Sequence, residues 1–175
     1  RILFENAPDA IYTLDMKGTF IDGNKIAEKI IGYKKEELIG KNFAKLELLP
    51  KNQLRRAIKL LTKNALGKPT KPEEFILNNK LGQKIPIEIS SYQVSIKGKK
   101  IMMGIARDVS ERKKAEEKFK ILFESSRDPI MTLEPPSWKF TSANHSTVEL
   151  FNVEDENVFK TKSFWNVSPK YQPDG

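Results

Sequence analysis

The sequence predicts an α+β fold: a five-stranded antiparallel sheet with helices on one face, then a linker helix and a truncated second unit of the same kind. Three observations carry this reading. A segment near the start recurs at an offset of 119 residues. The first copy reads as two strands, three helices and three strands. Each of those elements is bounded by a residue that explains its end.

The repeat sets the organisation, because self-similarity at this distance marks a tandem domain rather than a solenoid. Ile2-Leu3-Phe4-Glu5-Asn6-Ala7-Pro8-Asp9-Ala10-Ile11-Tyr12-Thr13-Leu14 aligns with Ile121-Leu122-Phe123-Glu124-Ser125-Ser126-Arg127-Asp128-Pro129-Ile130-Met131-Thr132-Leu133. The Ile-Leu-Phe-Glu run, the Asp and the Thr-Leu pair are identical. After a one-residue slip, Phe20 aligns with Phe140, Asn24 with Asn144 and Ile31 with Phe151; after another, Phe43 aligns with Phe164. The predicted domains are residues 1–109, a linker helix over 110–126, and the N-terminal half of a second unit over 121–175. The first residue is not Met, and the chain reads as a piece of something longer.

Ile11–Asp15 and Thr19–Asp22 read as strands, with Lys17-Gly18 as the hairpin turn between them. Asn24 caps a helix through Ile31, because its side-chain oxygen accepts an orphan backbone N–H. Gly32 ends that helix in the left-handed conformation. Lys35–Ile39 is a short helix stopped by Gly40. Lys51–Leu66 is a longer one, with Leu54, Ile58, Leu61 and Ala65 as its apolar stripe and Gly67 and Pro69 as its end. Glu73–Asn78 and Lys84–Ser95 are strands; Ile85, Ile87 and Ile89 alternate with Pro86, Glu88 and Ser90. Lys97-Gly98-Lys99 turns into a last strand, Lys100–Arg107. Two strands, a helical insert and three antiparallel strands layer helices on one face of a sheet.

Composition bounds the function. Hydrophobic residues make up 38% and charged residues 31%, which suits a packed domain. No stretch reaches the roughly 20 apolar residues that span a bilayer, so no membrane insertion is expected in this chain. The absence of Cys rules out thiol chemistry and accords with a cytoplasmic location. The net charge is +8, but the basic residues are scattered, and Glu111, Glu116 and Glu117 interrupt the densest run. That describes a solvated surface, and no nucleic-acid partner is expected. Glu36-Glu37 and Glu73-Glu74 are adjacent in sequence, so the members of each pair point apart. With no phosphate loop and no triad, the chain presents no catalytic residues and is not expected to be an enzyme.

The first copy resembles a PAS domain. Phe4-Glu5-Asn6-Ala7-Pro8-Asp9-Ala10-Ile11 resembles the family's opening segment. Asn24, then Gly32-Tyr33 and Glu36-Glu37-Leu38-Ile39-Gly40, resembles its helical region. Gly82, and later Gly104-Ile105-Ala106-Arg107-Asp108-Val109-Ser110-Glu111-Arg112, resembles its exit. The likeness covers residues 1–112, and 121–175 in truncated form. The second copy departs from it with Pro135-Pro136 at the hairpin turn and Asn152 in place of Gly32. The resemblance implies a sheet cupping a small pocket, and a sensory or dimerisation module that relays to an output domain of the same protein, often a histidine kinase. A transcriptional regulator and a signalling enzyme such as a cyclase are the alternative parents.

The family's chromophore chemistry narrows the occupant. Its flavin adduct and its xanthopsin-type attachment both use a cysteine, which this chain lacks. His145, the only histidine, falls in the second copy and reads as a surface residue, so no metal site is expected. Leu77, Ile87 and Ala106 stand where flavin-binding relatives carry amides, and an apolar wall would leave the flavin's polar edge unpaired. No cofactor is therefore expected, and the protein should be colourless. The expected lining is Ile11, Thr13, Phe43, Ile58, Leu61, Phe75, Leu77, Ile87, Ile89, Ser91, Met102 and Ala106, fitting a small apolar ligand. The same residues would equally make a closed core packed on itself, and the sequence leaves both open.

Two further sites complete the reading. In the family, the aspartate matching Asp108 anchors the junction to the helix, and Lys17 is its expected partner. On the last strand Ile101, Met103 and Ile105 alternate with the pocket residues. On the linker helix Phe119 and Leu122 lie on a four-three-four apolar spacing with Ala115 and Ser126. These make the expected face of a homodimer. Packing of the linker helix on its own domain is the competing reading.

Overall fold

A computed structural model describes residues 2–68, 70–96 and 98–168. The expected helix stop at Pro69, Lys97 in the turn and the tail beyond 168 lie outside them. The chain forms two compact units that divide between Lys113 and Lys114.

The first unit begins with a single helical turn, α1 (Ile2–Glu5). The hairpin β1 (Ala10–Leu14) and β2 (Phe20–Gly23) follows. Both strands sit within one residue of expectation. Asp15 Oδ1 closes the turn by accepting from the Lys17 and Thr19 N–H groups, each at 2.8 Å. Those donors, that of Thr19 first, hold its carboxyl below the usual range. Then come α2 (Lys25–Ile31), α3 (Lys35–Leu38), a 3-10 turn (Phe43–Lys45) and α4 (Lys51–Ala65). Gly32 ends α2 at φ 77°, as the left-handed cap requires. The strands β3 (Glu73–Asn78), β4 (Lys84–Ile96) and β5 (Lys99–Asp108) complete the sheet in the order β2-β1-β5-β4-β3. All neighbours are antiparallel. The core lies between one sheet face and the helices, with Phe75, Ile87 and Met102 fully enclosed.

The second unit holds the hairpin β6 (Met131–Glu134) and β7 (Lys139–Ala143). Three short helices follow: α6 (His145–Leu150), α7 (Glu156–Lys160) and α8 (Phe164–Val167). Phe159 is wholly buried against Phe140 and Phe151, at centroid distances of 4.3 and 5.2 Å. Asn152 takes φ 47°, so it supplies the backbone conformation that Gly32 supplies in the first copy. Pro135-Pro136 lies in the hairpin turn. His145 is exposed and pairs with Glu149 at 3.2 Å. The helix α5 (Ser110–Ser125) contains the division between the units.

The repeat is reproduced at the level of hydrogen bonds. Asn24, completely buried, accepts from Ile11 N–H (3.0 Å) and Ala27 N–H (2.9 Å) and donates to Phe4 O (3.1 Å) and Asp9 O (2.9 Å). Asn144, equally buried, accepts from Ile130 and Thr147 N–H and donates to Phe123 O and Asp128 O. Each asparagine ties the opening segment, the first strand and the first helix of its copy together.

Candidate functional site

Between the sheet and the helices of the first unit lies an apolar cavity of about 90 Å³. That is smaller than the roughly 150 Å³ apolar cavity that binds benzene, so it has room for a few heavy atoms. β5 contributes Met102, Gly104 and Ala106, the inward members of its alternation, while β3 and β4 contribute Phe75, Leu77, Ile87, Ile89 and Ser91. Phe43 and Leu61 close it from the helical side. Nine of these ten, all but Gly104, stand in the lining expected from the sequence; on the strands a period of two leaves little freedom once one inward residue is known.

Ile11, Thr13 and Ile58, expected in the lining, are not part of it. β1 turns Ala10, Tyr12 and Leu14 inward, which sends Ile11 and Thr13 to the other face. The strand starts at Ala10, whose small side chain gives no hydrophobic signal, so the phase was set one residue late. Ile58 is 43% exposed. The inward face of α4 is Ala57, Leu60, Leu61 and Asn64, and a count of apolar residues cannot register the buried Asn64. The loop residues Leu48 and Leu49 also line the cavity and carry no periodicity that would reveal them.

Two hydroxyls stand on this apolar surface. Tyr12 and Ser91 both oppose Gly104, one on each neighbouring strand. The Tyr12 ring leans over Gly104, so closely that a Cβ at that position would sit 2.2 to 2.5 Å from the ring and its oxygen. No hydrogen bond reaches the Tyr12 hydroxyl from the described residues, and burial pushes its pKa up to about 12. Ser91 Oγ accepts from Asn64 Nδ2 at 2.7 Å, the shortest of three contacts this two-proton group makes, with Leu60 O and Thr70 Oγ1 sharing its remaining proton. The Ser91 proton has no acceptor among the described residues. Two residues along the same face of β4, Gln93 Nε2 is buried without a partner but does not border the cavity.

The strand that floors the cavity leads directly into α5. Arg107 makes a bidentate pair with Asp9, at 3.1 and 2.9 Å. Asp108 Oδ1 accepts from Ser110 N–H at 2.8 Å, which caps the helix start. Lys17, the expected partner of Asp108, lies elsewhere. Antiparallel pairing sets Ala10 opposite Ala106 and Leu14 opposite Met102, so the turn after β1 is at the far end of β5. Arg112 and Lys113 reach Glu74 at 3.0 and 2.7 Å. Lys113, with Arg112 beside it, holds the Glu74 carboxyl below its usual range. Glu74 alternates with Phe75, so the first turn of α5 is clamped to a strand whose other face is cavity wall.

The outer sheet face carries Ile101, Met103 and Ile105, all half-buried. Ile105 is flanked by Ile11 and Ser90, Met103 by Thr13 and Tyr92, and Ile101 by Val94. On α5, Phe119 and Leu122 are 66% and 61% exposed. Among the described residues no three potential metal ligands of the His, Cys, Asp or Glu type stand together, and no helix is long and apolar enough to cross a membrane.

The chain matches the PAS domain family twice, over residues 8–111 and over 117–174. A methyl sulfide methyltransferase-associated sensor from Methanosarcina acetivorans is 29% identical over 117 residues, which is 66% of this chain but 11% of that protein. Among solved structures, a PAS domain from Colwellia psychrerythraea superposes with a TM-score of 0.56 at 25% identity, over 63% of this chain and 94% of that one. A domain of a sensory box sensor histidine kinase/response regulator from Geobacter sulfurreducens superposes with a TM-score of 0.51 at 27% identity, over 62% and 90%.

Proposed function

Because the chain belongs to the PAS domain family, we propose that it is the sensory and relay segment of a larger cytoplasmic signalling protein, a sensor histidine kinase. The first unit takes a small, mostly apolar ligand in its cavity and passes the change to α5. The observation that carries this is continuity. The β5 segment that floors the cavity runs through Arg107 and Asp108 into α5, whose first turn is held to β3 by Glu74. A ligand that spreads β3 from β5 therefore pulls on both attachments of the helix. The likeness to a sensor protein and to a histidine kinase domain supports this output over a transcriptional regulator or a cyclase.

Xenon tests the relay without any assumption about polar groups, since it enters dry apolar cavities. Under xenon pressure, amide resonances of Phe75, Met102 and Gly104 should shift, and so should those of Ser110 to Lys113. Shifts confined to the lining would show that occupancy is not transmitted.

The module works as a homodimer through the outer sheet face and α5. Apolar groups on a sheet face without a helical layer form the kind of patch that marks an interface, and Phe119 and Leu122 give α5 an exposed apolar pair of its own. Sedimentation of the full chain should give a dimer that dissociates in Met103→Glu and in Ile105→Glu. A monomer at high micromolar concentration in the unsubstituted chain would contradict it.

A further inference from the structure

We infer that the cavity selects an uncharged carbonyl compound of about three to five heavy atoms, whose oxygen accepts from both Tyr12 and Ser91. This rests on the reading of the cavity as a ligand pocket and adds the chemistry of its occupant. Both hydroxyls flank Gly104, and residues directly opposite on adjacent strands hold their Cβ atoms about 5 Å apart. The Tyr12 oxygen lies over Gly104 itself, so it approaches the β4 side where Ser91 stands. Ser91 already accepts from Asn64, and its proton has no acceptor among the described residues, so it can donate to a ligand. Tyr12 offers another. Two donors converging on one point match the two lone pairs of a carbonyl oxygen. A ligand that only donates would leave the Ser91 proton unpaired in an apolar enclosure, which costs free energy.

Charge is selected against by the same wall. No Lys, Arg, Asp or Glu borders the cavity, so an ion of either sign would lose hydration without compensation. Water is a poor occupant, because a buried water makes about three hydrogen bonds and the two side-chain hydroxyls offer it two. The remaining volume is lined by Met102, Phe75, Ile87 and their neighbours and suits a short hydrocarbon chain.

Three probes of five heavy atoms separate the alternatives: 2-butanone, its alkene isostere 2-methyl-1-butene, and propionate. Dissociation constants come from amide shift titrations of the full chain. Propionate should not bind. Tyr12→Phe and Ser91→Ala should each weaken 2-butanone about tenfold, the order of one buried hydrogen bond, and leave the alkene unchanged or tighter. In the unsubstituted protein the carbonyl carbon-13 resonance of bound 2-butanone should move downfield of its position in hydrocarbon solvent, a readout that needs no variant. Equal losses for ketone and alkene, or an upfield carbonyl shift, would overturn the carbonyl assignment while leaving an apolar pocket intact. Failure of every probe to bind, with no xenon response, would overturn the pocket itself.

Discussion

Asn24→Ala should lower the unfolding free energy of the first unit by about 3–5 kcal/mol, since four buried backbone groups lose a partner at about 1 kcal/mol or more each. The side chain accepts from Ile11 and Ala27 and donates to Phe4 and Asp9. No other residue type places two donors and an acceptor at that point in so small a volume. Asn24→Asp keeps the acceptor for Ile11 and Ala27 but sets its second oxygen against the Phe4 and Asp9 carbonyls at a fully buried point, so it should lose at least as much as Asn24→Ala. Urea unfolding followed by circular dichroism measures the loss. Both tryptophans, Trp138 and Trp165, lie in the second unit, so their emission follows that unit alone. Asn144→Ala should shift the tryptophan transition, and Asn24→Ala should leave it in place. A loss below about 1 kcal/mol in Asn24→Ala, less than a typical single cap, would show that the network is not what joins these elements.

Gly104→Val should destabilise the same unit by about 1–3 kcal/mol through overpacking and should abolish binding in the cavity. The reason is local. Even a Cβ at position 104 would meet the Tyr12 ring at 2.2 Å, so the ring must swing away from the floor. An alkaline titration then reports where Tyr12 has gone. In the native protein its ionisation is pushed from 10 to about 12 by burial. Because the folded value is the higher one, this contribution to stability is complete below pH 10 and is lost as pH rises towards 12. In Gly104→Val the ionisation should return towards the ordinary tyrosine range. A late-titrating tyrosine that survives the substitution but disappears in Tyr12→Phe would mean that the ring had stayed in place.

The strand pattern of the first unit was readable because each signal was local. Gly18, Gly32, Gly40, Gly67 and Gly82 all take positive φ where the sequence placed turns or helix ends. The alternation on β5 was likewise correct in phase, with Met102 and Ala106 inward and Met103 and Ile105 outward. Reading failed where the inward residue was small or polar. Ala10 and Asn64 are buried without being hydrophobic enough to show it; β1 was placed one position out of phase and Ile58 was set inward on α4, while Leu61 and Ala65 of the expected stripe do pack on the core. Long-range pairing caused the other failure. Lys17 was matched to Asp108, but only the β1–β5 register reveals that they lie at opposite ends of a strand. Tyr12 is absent from the expected lining for the first reason, since Ile11 and Thr13 were placed inward on β1 and Tyr12 lies between them.

Coupling between the cavity and α5 is tested most directly by joining residues 1–126 in frame to a histidine kinase core that lacks its own sensor. Autophosphorylation is then measured with and without 2-butanone. Saturating ligand should change the rate several-fold, and the change should vanish in Gly104→Val, where the cavity is filled, and in Glu74→Gln, where the clamp on α5 is weakened. A rate indifferent to ligand, in a fusion whose amide shifts prove the cavity occupied, would contradict the account.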